Sequence, residues 1–388
     1  MVSELWDGKR PLTDSNILRI VGSLFESQVL AGFGKGFNEV DFETPDGVAL
    51  TRLTRDVWQF SAAKNYQQMR DMTLALRDAD GNLREFSDFK QACADINAKF
   101  NNTWLRTEYD TAIASAQMSS KWQEFLKNEK EMPFLRYSTV GDERVRTEHA
   151  LLDGIIRRIT DAFWRTHYPP NGWKCRCDVD QLATSSAKET ENLPNVPINP
   201  LFKTNLAQSG LIFPKGHPYY DGVPVDEIRR SIAYLPKDAP FKDIYTSESG
   251  GSVKMHLLHG YEEMSDNVRT AKVLADKGFK VKLLPVLNEK DDDLRELIYG
   301  SNDFVKGKNP DTLVNKRIAD IKHPASSKNA IHNAIRHGAK QSDFIIIHLK
   351  EEMGIKELNR YVLGKLKQSK AKEVWVLNGD ELIQFQSL

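Results

Sequence analysis

Between about Asp56 and Trp122, apolar side chains recur at helical spacing, in VWQFSAAKNYQQMRDMTLAL and again in FSDFKQACADINAKFNNTWLRTEYDTAIASAQ. Helix formers dominate both stretches, so this part of the chain reads as mainly α-helical. From Pro133 to Val179 turn residues interrupt short apolar runs, FLRYSTVGDERVR, LLDGIIRR and HYPPNGWKCRCDV, which predicts a compact element of strands and loops. From Ala183 to about Pro240, SSAKETENLPNVPINPLF and FPKGHPYYDGVPVDEI carry many prolines and little periodicity. That composition predicts an extended connector whose aromatic residues dock on a neighbour.

Past Gly250-Gly251 the pattern becomes sharply periodic. The strand SVKMHLL precedes the helix EEMSDNVRTAKVLADKG, which Gly278 ends, and the apolar strand FKVKLLPVL follows. After a polar loop, NPDTLVNKRIADIKHP reads as a β-hairpin. SKNAIHNAIRHGAKQ is then an amphipathic helix, DFIIIHL a buried strand, IKELNRYVLGKLKQS a helix and EVWVLN a strand. The expected class is α+β and multidomain, with a helical module over 1–182, a connector over 183–248 and an α/β domain with a mixed sheet over 249–388.

Composition adds bounds. A chain of 388 residues favours more than one core, and 54 basic against 54 acidic side chains announce no global affinity for nucleic acid. The last 138 residues carry an excess of about four basic groups, a local hint of a polyanion partner. No apolar run is long enough for a membrane span, and the opening MVSELWDGKRPLTD lacks the order of a signal peptide, so a cytoplasmic protein is expected. Three cysteines are too few for a disulfide framework, and Cys175-Arg176-Cys177 points to a local thiol site, while Cys93 fits helix packing.

The hairpin carries the sharpest chemistry. With Asn315-Lys316 as its two-residue loop, Asp311 lies opposite Asp320, their β-carbons within roughly 5 Å. Carboxylates that close repel unless a cation or proton lies between them. Lys322 shares the face of Asp320 by the strand period of two. Two oxygen ligands and an ammonium suit a hard divalent ion such as Mg²⁺ that polarises a phosphodiester. A third carboxylate is available in Glu262 or Glu263. The competing reading is a solvated edge strand after a Pro-Asp turn. Six of the nine histidines lie beyond residue 250, and His323 could serve a metal-independent RNase, whereas His332 and His337 fall on the polar face of a helix. Gln341 reads as a polar helix cap or a backbone or substrate contact.

The Glu262/Glu263 helix, KGFKVKLLP, Pro310-Asp311, ADIK and IHNAIRHGAKQSDFIIIHL together resemble the PD-(D/E)XK nuclease core. They are also similar to the C-terminal tRNA-cleaving domains of contact-dependent inhibition toxins of the CdiA type. The likeness runs over about 252–350 and implies a nuclease acting on RNA, tRNA above all, or on DNA, with Glu262 or Glu263, Asp311, Asp320 and Lys322 as its set. It also implies an immunity protein as a partner. His323-Pro324 after ADIK departs from the pattern.

FLRYSTVGDERVR, His149, the DAFW segment from Asp161 to Trp164 and YPPNGWKCRC resemble the head-morphogenesis family typified by the F protein of phage Mu, over about 50–180. That resemblance implies a phage or prophage minor head protein that meets portal and capsid proteins and ends in the virion. Physically, Pro169-Pro170 and Asn171-Gly172 force a reversal that Trp173 anchors, and Cys175 and Cys177 then share a face. With His149 and His167 they would make four ligands for tetrahedral zinc; reduced, buried thiols are the alternative. Arg144, Arg146 and Arg176 read as partners for acidic groups or DNA, or as solvated charge. Two other functions stand beside the fused nuclease: a purely structural chain with an inactive nuclease fold, and a histidine-based RNase.

Overall fold

The computed structural model describes residues 1–9, 11–236 and 239–387, which divide into two compact units. The first comprises Met1–Gly36 and Pro45–Ile232, the second Phe37–Thr44 and Ala233–Leu388.

In the first unit the helices Ser15–Phe33, Pro45–Leu74 and Leu105–Lys127 pack together, and Phe86–Ala98 covers one end. Gly22 sets the helix spacing: a β-carbon there would lie 2.4 Å from the Trp58 ring. Cys93 is buried with Met69, Met72 and Phe89, as its helical pattern predicts. A three-stranded antiparallel sheet follows, in the order β2 (Ile156–Arg158), β1 (Phe134–Ser138), β3 (Asp178–Leu182). Leu135, Tyr137, Trp164, Tyr168 and Val179 form its core with Trp122 of the helix before it.

The expected connector does not hold as one. Residues 183–232 belong to the first unit and lie on the Pro45–Leu74 helix: Phe213 stacks on Phe60 with centroids 3.7 Å apart, and Gln67 Nε2 donates to the Tyr219 and Asp221 carbonyls. The prolines here mark irregular backbone that is packed, its donors met by helix side chains. Asp56, for instance, accepts the N–H groups of Ile212 at 2.7 Å and Phe213 at 2.8 Å.

Burial pushes the Asp56 carboxyl up to about 7 despite those two bonds. The folded form therefore holds a proton that the unfolded chain releases near its ordinary pKa of about 3.9. Stability contributed by this group is present at low pH and declines as pH rises from about 4 through 7. Asp56→Asn is expected to flatten that decline, by up to a few kcal/mol at about 1.4 per pH unit. The difference between wild-type and variant unfolding curves across this range measures it.

The second unit is built on one mixed sheet of eight strands, in the order β11-β10-β9-β8-β7-β6-β5-β4. These are β4 (Phe241–Thr246), β5 (Ser252–His256), β6 (Lys280–Leu283), β7 (Thr312–Val314), β8 (Arg317–Lys322), β9 (Phe344–His348), β10 (Glu373–Asn378) and β11 (Glu381–Gln386). Strands β8, β9 and β10 run parallel, as do β5 and β6; the other neighbours are antiparallel. The helices Lys328–Gly338 and Ile355–Leu366 bury Ile331, Ile335, Leu358 and Val362 against Ile345, Ile347, Val374 and Val376. His332 reaches the Tyr361 carbonyl at 3.1 Å, a contact between these helices. The edge strands β4 and β11 and the helix Asp292–Tyr299, which lies where a polar loop is expected, complete the unit.

Candidate active site

Asn315 (φ 46°) and Lys316 (φ 72°) form the hairpin loop, and β7 pairs with β8 as Thr312↔Ala319, Leu313↔Ile318 and Val314↔Arg317. This is the register that sets Asp311 opposite Asp320. Asp311 Oδ2 accepts the Ile321 N–H at 2.8 Å. Lys322 Nζ lies 2.6 Å from Asp320 Oδ2 and 3.7 Å from Asp311 Oδ2. Asp320 is 1% exposed, and its Oδ2 makes no hydrogen bond of good geometry beyond that ion pair. Burial first, and then the charge of Asp311, push the Asp320 carboxyl up to about 8, with Lys322 opposing.

Glu263 stands at the start of the helix Met264–Asp276, and its carboxylate makes no cap hydrogen bond. Glu262 and Glu263 are both exposed; partial desolvation and the charge of Asp311 raise the Glu263 pKa, while Lys322 lowers it. The two glutamates are adjacent and equally accessible, so both remain candidates for the third carboxylate. Arg295 is wholly buried and holds the approach to Asp311, donating to the Lys308 carbonyl at 2.7 Å and to Asn309 Oδ1 at 3.0 Å. Gln341 accepts the Asn309 N–H at 3.2 Å, a backbone contact.

His323 sits in a neighbouring arrangement that sequence reading missed. Thr270 Oγ1 lies 2.9 Å from His323 Nε2 and 2.9 Å from His348 Nδ1. Burial lowers both imidazoles, His323 to about 4, which favours their neutral forms. His348 is the last residue of β9 and Lys322 the last of β8, which sets both groups at the carboxyl ends of parallel strands, where open α/β sheets bind ligands. A cavity of about 540 Å³ beside β6 and the hairpin loop is lined by Lys280, Lys282 and Lys316.

An ion fits the hairpin pair on one observation: Asp320 Oδ2 is buried and, apart from the Lys322 ammonium at 2.6 Å, has no hydrogen-bond partner. Among the described residues, the carboxylates do not form a trio with all oxygens within 4.8 Å of one another. Asp311 and Asp320 would thus hold the ion directly, with water filling the other positions, as Mg²⁺ commonly permits.

The first unit contains the one His/Cys/Asp/Glu trio that meets this spacing among the described residues: His149, Cys175 and Cys177. His149 lies in the short helix Thr147–Ala150, and the two cysteines precede β3. The expected fourth ligand, His167, is elsewhere. Its ring stacks on Phe163 at 4.6 Å and its Nδ1 lies 2.9 Å from Thr166 Oγ1, because the four-residue helix Trp164–His167 turns it back on its own first residues. Arg176 pairs with Asp142 at 2.6 and 2.7 Å, and Arg146 donates to the Trp173 carbonyl at 2.6 Å, so both guanidinium groups have local partners.

Residues 61–180 match the family described as Phage Mu protein F like protein, and residues 308–382 match the contact-dependent growth inhibition CdiA C-terminal domain. The putative capsid assembly protein F of Escherichia phage Mu is 38% identical over 85 residues, 22% of this chain and 19% of that protein. The Mu-like prophage FluMu F protein of Haemophilus influenzae is 40% identical over 79 residues, 20% and 19% of the two chains. The aligned stretch thus spans about a fifth of the length of each relative. No solved structure matches. No helix among the described residues is long and apolar enough to cross a membrane. The chain therefore joins a phage Mu protein F-like segment, over 61–180, to a segment like the CdiA C-terminal domain, over 308–382.

Proposed function

We propose that the second unit is a metal-dependent nuclease of PD-(D/E)XK-like design that hydrolyses RNA, tRNA above all. We further propose that the first unit takes part in phage head assembly beside portal and capsid proteins and carries the nuclease into the virion. The observation that carries the nuclease reading is the buried, incompletely bonded Asp320 carboxylate beside Asp311 and Lys322, inside the stretch that matches the CdiA C-terminal domain. The preference for RNA rests on the toxin resemblance, as does an immunity protein as partner.

Asp311 and Asp320 would hold the divalent ion, which when bound would polarise the phosphodiester and ease deprotonation of water. Lys322 offers its ammonium to the charge that develops on the phosphate. Glu263, with its raised pKa, accepts the proton of the attacking water. Lys280, Lys282 and Lys316 meet the neighbouring phosphates of the strand.

Incubation of the full chain with total RNA and with duplex DNA, in Mg²⁺ or in EDTA, tests this. Cleavage of RNA in Mg²⁺ alone is expected. Lys322→Ala should cut the rate by about a hundredfold or more while sparing ion binding. The bridged pair His323 and His348 favours a second reading, general acid and base catalysis without metal. Under it, cleavage persists in EDTA and disappears in His323→Ala. An absence of cleavage under all conditions returns the purely structural reading.

A further inference from the structure

We infer that His149, Cys175 and Cys177 form a three-ligand zinc site whose fourth position is open to exchangeable water or a small anion. His149 Nδ1 is 3.7 Å from Cys175 Sγ and 3.5 Å from Cys177 Sγ. Tetrahedral zinc with bonds of about 2.3 Å to sulfur and 2.0–2.1 Å to nitrogen requires nitrogen and sulfur about 3.6 Å apart. Both nitrogen–sulfur distances match that spacing, and the three ligand atoms all lie within 4.8 Å of one another, whereas a disulfide needs the two sulfurs alone.

The surroundings hold this arrangement. His149 is 3% exposed and Cys175 8%, so neither side chain is free to wander. Cys175 N–H bonds the Gly172 carbonyl at 3.1 Å, and Lys174 takes φ 56°, which turns the chain between the reversal and the first sulfur. Tyr137, fully buried beside the cysteines, is fixed by its hydroxyl donating to Asn171 Oδ1 at 3.0 Å. With His167 turned away, no fourth His, Cys, Asp or Glu among the described residues joins the trio. Both cysteines, but not His149, line a cavity of about 790 Å³, whose charged lining is mixed: Lys121, Lys174 and Arg176 with Asp110, Glu124 and Asp178. Structural zinc sites are closed by four protein ligands, while three ligands facing a cavity leave room for an outside one.

Titrating the reduced, metal-free full chain with Co²⁺ tests both parts. With excess Mg²⁺ present to occupy the carboxylate site, one thiolate-bound Co²⁺ per chain is expected, displaced by Zn²⁺, with sulfur-to-metal charge transfer in the near ultraviolet and tetrahedral bands in the visible. Azide should shift the visible bands. Cys177→Ser should reduce the charge-transfer intensity by about half, since one of two thiolates remains, and His149→Ala should weaken binding by about tenfold or more. Where a variant fails to fold, the wild-type titration still decides. No charge-transfer band in wild type, or a band that survives in Cys175→Ser/Cys177→Ser, overturns the site. Visible bands that added azide leaves unmoved overturn the open position.

Discussion

Asp320→Asn is expected to lower Mg²⁺-dependent RNA cleavage by about two to three orders of magnitude while the second unit stays folded. The amide keeps the carboxylate's shape and removes the negative charge of a buried group whose Oδ2 has only the Lys322 ammonium beside it. The fold should not suffer, and the sign of the linkage says why. In the folded chain this carboxyl is raised to about 8, so folding without an ion loses stability as pH climbs from about 4 to about 8. An amide carries no such loss. In EDTA at about pH 8 the variant should therefore unfold no earlier than wild type, which separates lost chemistry from lost structure. Full activity in a folded Asp320→Asn protein would remove the assignment.

The largest stability effect is expected in the first unit, at Lys64→Ala. Lys64 and Glu108 form an ion pair with side chains 2% and 5% exposed, and Tyr219 donates to the other carboxylate oxygen at 2.9 Å. Burial pulls the lysine down and pushes the glutamate up, opposed by their mutual attraction. Truncating the lysine leaves a buried carboxylate uncompensated, at a cost of about 3–5 kcal/mol. Hydrogen exchange of amides in the Pro45–Leu74 helix reads this unit alone, where a whole-chain melt would mix two units. Lys64→Met combined with Glu108→Gln should recover most of the loss, because no unpaired charge then remains. A single variant that exchanges like wild type would mean that the pair contributes little.

What could be read from the sequence was local. Asn315-Lys316 announces a two-residue loop, the loop fixes the register, and the register fixes Asp311 against Asp320. Each step uses neighbours within a dozen residues. The helix that ends at Gly278 and the buried strand DFIIIHL were legible for the same reason. What stayed hidden depends on distant partners. Thr270, His323 and His348 meet only once β8 and β9 lie side by side under the helix Met264–Asp276. His167 looked like a ligand because it is near Cys175 in sequence, yet its helix turns it toward Phe163. The stretch DDDLREL reads as polar, although Leu294 and Arg295 are buried and its acidic residues suit a helix N-terminus. Proline-rich sequence past Ala183 suggested a tether, since nothing local reveals that Asp56 and Phe60 wait to receive it.

The tight hairpin also divides the site in time. A β-hairpin closes in about 1–10 μs, and loop closure grows costlier with the length of chain enclosed. Asp311, Asp320 and Lys322 can meet as soon as their own turn forms, before the eight-stranded sheet exists. Glu263, the proposed third carboxylate, is separated from Asp311 by nearly fifty residues of chain, through β6 and the helix Asp292–Tyr299. The early species thus presents two carboxylates without the third. A divalent ion held as proposed by Asp311 and Asp320 would therefore stabilise the hairpin itself, whether or not Glu263 is yet in place.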